Sequence, residues 1–221
     1  KRSITLNLKS EQGREILREL VKESDIYITN LPHPMRRQWS LSYQDLAAVN
    51  PKMIYASLTA YGEYGPERDR EGFDLVAYWS RSGLMDLVRS PEAPPAPALP
   101  GMGDHPTSIT LYASILTALF KRQQTGKGSH VHTSLLANGI WSASCIAQGA
   151  FAGADFDDYY ESQSKLFARR LYEAADGRWL QFSMVRTDEE VEAQLIFFRR
   201  ARDAELWWTD LLSFAQQQKC M

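Results

Sequence analysis

The sequence predicts an α/β protein built on a parallel sheet, followed by the start of a smaller α+β domain. Strand-like and helix-like patterns alternate through the first 60 residues, and a long apolar-striped helix precedes another strand-like run at 129–134. Near Gly153 the chain then turns from apolar helix to an acidic, aromatic stretch. Such alternation is the rhythm of parallel strands joined by crossover helices. The change at Gly153 divides the chain into residues 1–153 and residues 154–221.

Residues 4–8, Ile-Thr-Leu-Asn-Leu, alternate as a strand does. Ser10 suits the N-cap of a helix to about Glu23, with Ile16, Leu17, Leu20 and Val21 on one face. Residues 25–29 read as a second strand, ending at Asn30-Leu31-Pro32. Residues 43–49 read as a short helix stopped by Asn50-Pro51, and 53–59 as a third strand. A loop follows from Ala60 to Pro66, and 73–79 is helical in pattern. Residues 90–100 hold five prolines and form an extended connector.

The strongest helical pattern spans about 107–122, with Tyr112, Ile115, Leu116 and Leu119 as its stripe and Pro106 near its start. Gly126 and Gly128 stop it, residues 129–134 make a fourth strand, and 135–151 a largely apolar helix. Residues 155–160 form an acidic, aromatic loop, and 171–185 read as a hairpin turning at Ala175-Asp176-Gly177. From Thr187 onward the pattern is helical.

Composition excludes several classes. The 221 residues carry a net charge of −2, which gives no general attraction to nucleic acid or to an anionic membrane. No apolar run approaches the roughly 20 residues of a membrane span. Two distant cysteines, Cys145 and Cys220, supply neither a disulfide framework nor a metal spacing, which fits a reducing cytoplasm. The opening Lys1-Arg2-Ser3 does not read as a signal peptide. Lys1 is not a start methionine, so the natural polypeptide is expected to extend further toward its N-terminus.

Chemistry concentrates at Pro100-Gly101-Met102-Gly103-Asp104-His105-Pro106-Thr107. Asp104 precedes the strong helix, where Asp is a favoured N-cap. The same place suits a nucleophile. Gly101 and Gly103 permit close backbone approach, and a helix N-terminus offers N–H groups and a positive dipole end to an anion. Such N–H groups can also stabilise an oxyanion, and a carboxylate nucleophile splits acyl transfer into two easier steps. A capping residue can be that nucleophile, so the two roles are compatible.

In open α/β sheets ligands lie beyond the carboxyl ends of strands, which directs attention to the loops at Asn30 and Tyr61. Lys9, then Arg36 and Arg37, then Arg68 and Arg70 follow the first three strand-like runs. Any single one reads as surface charge, but a ring of cations suits a phosphorylated ligand. Thr125-Gly126-Lys127-Gly128 lacks the upstream glycine of a P-loop and reads as a helix stop. His130 and His132 share a strand face but have no evident third ligand, so no metal is expected. Ser142, Ser144 and Cys145 read as small packing residues.

Residues 1–9, Asn30 and residues 50–57 together resemble the class III CoA-transferase family, which includes formyl-CoA and carnitine CoA-transferases and α-methylacyl-CoA racemase. The likeness continues through Tyr61-Gly62, Gly65-Pro66 and Gly72-Phe73-Asp74-Leu75, and is strongest at Gly103-Asp104 and residues 125–128. It covers about residues 1–185 and rests on the order and spacing of motifs that are individually weak.

The resemblance implies a Rossmann-like CoA-binding domain, partial over 1–153, with Asp104 as catalytic aspartate. It implies coenzyme A as the co-substrate, bound as acyl-CoA by Leu6, Lys9, Asn30 and Leu31. Arg37 stands in where the family's next basic contact falls on Gln38, and Arg70 where a further lysine position falls near Glu71. Tyr61, Phe73, Asp74 and Gly103 then border the substrate pocket. The implied partners are an acyl-CoA and a small carboxylic acid, in a homodimer. Racemases carry a histidine where this chain has Phe73, which disfavours racemisation. The family's first βα unit and most of its second domain have no match here, so a catalytically silent CoA- or partner-binding protein is the remaining alternative. Residues 193–221 resemble nothing recognised.

Overall fold

The computed structural model describes residues 2–89 and 93–155, and beyond them residues 171–173, 177, 179–181, 187, 189, 190, 192, 193 and 196. The chain falls into two compact units, residues 1–152 and 153–221.

In the first unit three strands find partners: β1 (Ile26–Thr29), β2 (Ile54–Thr59) and β3 (Ser129–Ser134). They form one parallel sheet in the order β1-β2-β3, with Ile26 opposite Ile54 and Ile54 opposite Ser129. The predicted strand at 4–8 is not there, and residues 2–7 take no regular structure. Alternation alone does not make a strand, because a strand's backbone groups need a neighbour, and no described strand pairs with this run. Ile4 is accordingly exposed.

Helix α1 (Glu11–Lys22) starts where expected, with Ser10 accepting the Gly13 N–H at 3.1 Å. Only half of its predicted stripe turns inward. Val21 is buried and Leu17 packs beside it, while Ile16 and Leu20 stay exposed. Two short helices follow, α2 (His33–Gln38) and α3 (Tyr43–Val49). A reciprocal capping box between Ser42 and Asp45 starts α3. Val21, Leu41, Leu46, Met53 and Tyr55 form the core on this face of the sheet.

After β2 the chain runs through a loop into a π-helix, Asp74–Ser80, and then α4 (Leu84–Leu87). The long helix α5 (Asp104–Thr125) covers the other face of the sheet, burying Leu111 and Ile115 against Ala56. The predicted stripe is again half right: Ile115 is buried, but Tyr112 and Leu116 are exposed together with Ile109 and Phe120. Gly126, in the left-handed conformation at φ +69°, ends α5 as the Thr125–Gly128 reading requires. Gly128 then passes so close to Met53 that a Cβ would lie 2.1 Å from its carbonyl oxygen.

The helix predicted at 135–151 is two helices, α6 (Leu135–Ser142) and α7 (Ser144–Phe151). The break follows Ser142, whose hydroxyl bonds back to the Asn138 carbonyl at 3.0 Å and meets the Tyr78 hydroxyl at 2.8 Å. Back-bonding of this kind bends helices. Ala60, Tyr78, Trp79, Leu84 and Leu135 build a third cluster beneath the carboxyl ends of the strands.

In the second unit β4 (Leu171–Glu173) and β5 (Trp179–Gln181) pair antiparallel, as the hairpin reading expects. The acidic loop at 155–160 apart from Asp155, part of the hairpin turn and most of the tail from Thr187 lie outside the described residues. No helix among the described residues is long and apolar enough to cross a membrane.

Candidate active site

A cavity of about 560 Å³ opens at the carboxyl ends of all three parallel strands. Asn30, Ala60 and Leu135, the first residues after β1, β2 and β3, all line it. This is where an open α/β sheet places its ligands. Asp104, at the first turn of α5, lines the same cavity.

The Asp104 carboxylate is exposed and makes no hydrogen bond or ion pair with any described residue. It is not the N-cap. Gly103 holds that position, no side chain caps the helix, and Asp104 is its first residue. The amides of the first turn are also mostly committed. His105 donates to the Gly101 carbonyl at 3.0 Å and Thr107 to that of Gly103 at 3.3 Å, while Pro106 has no N–H. Within the first three residues of α5, only the N–H of Asp104 itself is left for an oxyanion.

The glycines before Asp104 have packing and turn roles of their own. A Cβ on Gly103 would sit 2.5 Å from the Tyr78 Cβ, so this glycine lets α5 close onto the π-helix. Gly101 takes φ +81°, and its N–H donates to Asp74 Oδ2 at 2.9 Å. Asp74 also accepts the Leu75 N–H at 2.8 Å. Asp74 is not among the residues that line the cavity; its two bonds tie the π-helix to the turn that carries Asp104.

Of the other predicted site residues, Asn30, Leu31, Arg70 and Phe73 share the cavity with Asp104. Arg70 bonds Glu67 at 2.7 Å and lies 6.0 Å from the Tyr61 ring centre. Tyr61 sits behind that wall, against Gly72 and the third core cluster. Leu6 and Lys9 do not line the cavity, and Lys9 precedes a helix rather than following a strand. Arg37 is also outside the cavity. Its guanidinium makes a two-pronged pair with Asp69, at 3.0 and 2.9 Å. The ring of cations thus reduces, at the cavity, to Arg68 and Arg70. Leu58 and Leu135 add apolar wall that the sequence reading missed. Their signal was available, since each lies at or next to a strand's carboxyl end.

The reading missed a second constellation, just behind the cavity. Arg36 is only 3 % exposed and donates to both oxygens of Glu63, at 2.9 and 3.3 Å. The Ser57 hydroxyl donates to Glu63 at 2.6 Å and meets His130 Nε2 at 2.8 Å. His33 Nε2 lies 3.3 Å from Glu63. Burial opposes ionisation of Glu63, but the Arg36 guanidinium and the Ser57 hydroxyl outweigh it and lower its pKa. Burial pushes His130 down to about 4, with the attraction of Glu63 opposing and the cationic neighbours adding. The two-pronged bond and the Ser57 hydroxyl offset the cost of burying this charge pair, while Arg36 Nε and His33 Nε2 are buried without a hydrogen-bond partner among the described residues. Among the described residues no three His, Cys, Asp or Glu side chains gather as metal ligands.

The sequence matches the family model described as CoA-transferase family III over residues 1–219. It is 33% identical over 185 residues to the (R)-2-hydroxy-4-methylpentanoate CoA-transferase of Clostridioides difficile, covering 84% of this chain and 46% of that one. It is 37% identical over 150 residues to the cinnamoyl-CoA:phenyllactate CoA-transferase of Clostridium sporogenes, covering 68% and 36%. Among solved structures, a CAIB/BAIF family protein from Brucella suis superposes with a TM-score of 0.64 at 34% identity, covering 69% of this chain and 40% of that chain. The chain spans less than half the length of each of these relatives.

Proposed function

This chain belongs to CoA-transferase family III, and from that premise we propose that it carries the nucleophile of an acyl-CoA:carboxylate CoA-transferase. The nucleophile in this reading is Asp104. The observation that supports it is position: an exposed carboxylate without a partner among the described residues lines the cavity at the carboxyl ends of three parallel strands.

The chemistry balances without a redox partner. An Asp104 oxygen attacks the thioester carbonyl of the donor, the C–S bond breaks, and CoA leaves as a thiolate. The product is a mixed anhydride. The thiolate then attacks the aspartyl carbonyl, releasing the donor acid and leaving an aspartyl thioester. The acceptor carboxylate attacks that thioester and displaces the thiolate. Thiolate attack on the acceptor's carbonyl forms the new acyl-CoA and frees Asp104. Covalent catalysis of this type divides one difficult transfer into easier steps.

Asn30, Leu31 and Arg70 are the CoA contacts this reading keeps in the cavity, with Arg68 beside them; Leu6, Lys9 and Arg37 would have to contact the ligand outside it. Phe73, 80 % exposed at the cavity wall, has no exchangeable ring proton for α-proton chemistry. Neither of the two transferases compared above is named a racemase. Their names make CoA thioesters of 2-hydroxy-4-methylpentanoate and of phenyllactate, and cinnamoyl-CoA, the first compounds to try.

Incubation with such a thioester is expected to leave one acyl group on Asp104, which hydroxylamine converts to a hydroxamate detectable by mass spectrometry. Absence of any adduct on Asp104, in a polypeptide extended to the length of its relatives, would end the nucleophile reading.

A further inference from the structure

The loop after β2 supplies Arg68, Arg70, Gly72 and Phe73 to one wall of the cavity. From Tyr61 to Phe73 it has one buried residue, Glu63, 7 % exposed. The opposite wall, Asn30 to Pro32, leads directly into α2. Helix α2 supplies Arg36, which grips Glu63 with two bonds, and His33, 3.3 Å from the same carboxylate. Strand β2, whose carboxyl end lines the cavity at Leu58 and Thr59, supplies the buried Ser57, whose hydroxyl donates to Glu63 at 2.6 Å. One carboxylate thus joins the two walls of the cavity to the sheet between them.

We propose that Glu63 and Arg36 are positioning residues, a buried clamp that sets the separation of the two loops between which acyl-CoA binds. The ligand part rests on the reading of the cavity as the acyl-CoA site. The clamp itself rests on the geometry alone. A two-pronged guanidinium–carboxylate pair fixes direction as well as distance, which a point contact does not. Hydrophobic packing cannot substitute for that directionality, because the rest of the loop is exposed or half-exposed. The neighbouring Arg37–Asp69 pair joins the same two segments but is half in solvent, where such pairs hold little.

A double variant separates positioning from plain stability. In Arg36→Met with Glu63→Met, both charges leave and the volume is nearly kept, a replacement that often leaves stability unchanged. The expected result is an unchanged urea midpoint. The hydrogen-bonded amides of Gly62, Arg68 and Arg70, followed by NMR, should exchange about tenfold faster. Amides of β2 and α3 should keep their rates. Affinity for CoA, by calorimetry, should fall by about fivefold or more as preorganisation is lost.

Unchanged exchange at 62–70 in the double variant overturns the proposal. So does an equal rise across β2 and α3, the signature of a merely structural pair. If the double variant does not fold, Glu63→Gln decides by the same exchange, since its amide cannot accept both Arg36 bonds. An unaltered chain that binds no CoA sinks the acyl-CoA reading, and the exchange data still judge the clamp.

Discussion

Two carboxylates at one end of the sheet have opposite surroundings. Glu63 is buried, and every oxygen faces a donor: Arg36 twice, Ser57 once, with His33 alongside. Asp104 is exposed and has no partner among the described residues. The difference separates holding from reacting. A buried carboxylate whose two oxygens both accept hydrogen bonds stabilises geometry and is poorly placed to attack a ligand. One left open at a cavity wall contributes little to the fold and remains available as a nucleophile. Substitution should therefore divide the two residues by stability in one direction and by chemistry in the other.

The largest stability effect is expected at Glu63. Glu63→Ala leaves the Arg36 guanidinium buried and unpaired, and breaking a buried pair this way costs about 3–5 kcal/mol. Urea unfolding followed by tryptophan fluorescence measures it. A loss below about 1 kcal/mol would mean that water reaches Arg36, and would remove the contrast with Asp104.

The next effect is a pH dependence centred on the same cluster. His130 is depressed from an ordinary value near 6.5 to about 4, so the folded protein binds fewer protons than the unfolded chain between those values. Stability is then full above about pH 6.5 and declines as pH falls toward 4. Glu63 and His33 act in the same direction, since both are lowered in the folded state. Glu63 contributes above its unfolded value near 4.5 and loses that contribution as pH falls through its folded value. The groups facing His130 are Ser57, Tyr43, Tyr55, His132, His33, Arg36 and Glu63. His130→Gln should flatten the decline between pH 6.5 and 4, read from urea midpoints. An unchanged slope would show that His130 is not the buried neutral base described here.

The contrast between the two carboxylates also marks what the sequence could and could not show. The place of Asp104, at a helix start and on the cavity wall, was legible because its setting is local: two glycines, a helix start and a proline within eight residues. The strand ends at Asn30 and Ala60 were legible for the same reason, from period and punctuation. The Arg36–Glu63 clamp was not, because its partners lie 27 residues apart and nothing in either segment marks an arginine or a glutamate as buried. The strand expected at 4–8 fails on the same ground, since alternation is local but pairing is not. Helices α1 and α5 were placed well, yet the buried residue was wrong at Ile16, Leu20, Tyr112 and Leu116. Helix α5 carries more apolar positions than one face can hold, and α1's single apolar face is wider than the surface it packs on, so tertiary packing decides which residues turn inward.

The smallest stability effect is expected at Asp104, and it is the sharpest test of the comparison. The sequence reading assigned it a capping bond worth about 1 kcal/mol. The structure removes that bond, because Gly103 is the cap and no side chain satisfies it. What remains is the attraction between a first-turn carboxylate and the helix dipole, about 0.3–1 kcal/mol at an exposed site and weaker in salt. Asp104→Asn should therefore shift the urea midpoint little, and Asp104→Ala hardly more. Both should abolish the hydroxylamine-sensitive adduct, since neither side chain offers an anionic oxygen to a thioester. A large stability loss in both variants would mean that Asp104 has a structural partner and belongs with Glu63. Unchanged stability together with an intact adduct would place the reacting carboxylate elsewhere. Unchanged stability with complete loss of the adduct is the outcome that keeps the two carboxylates apart.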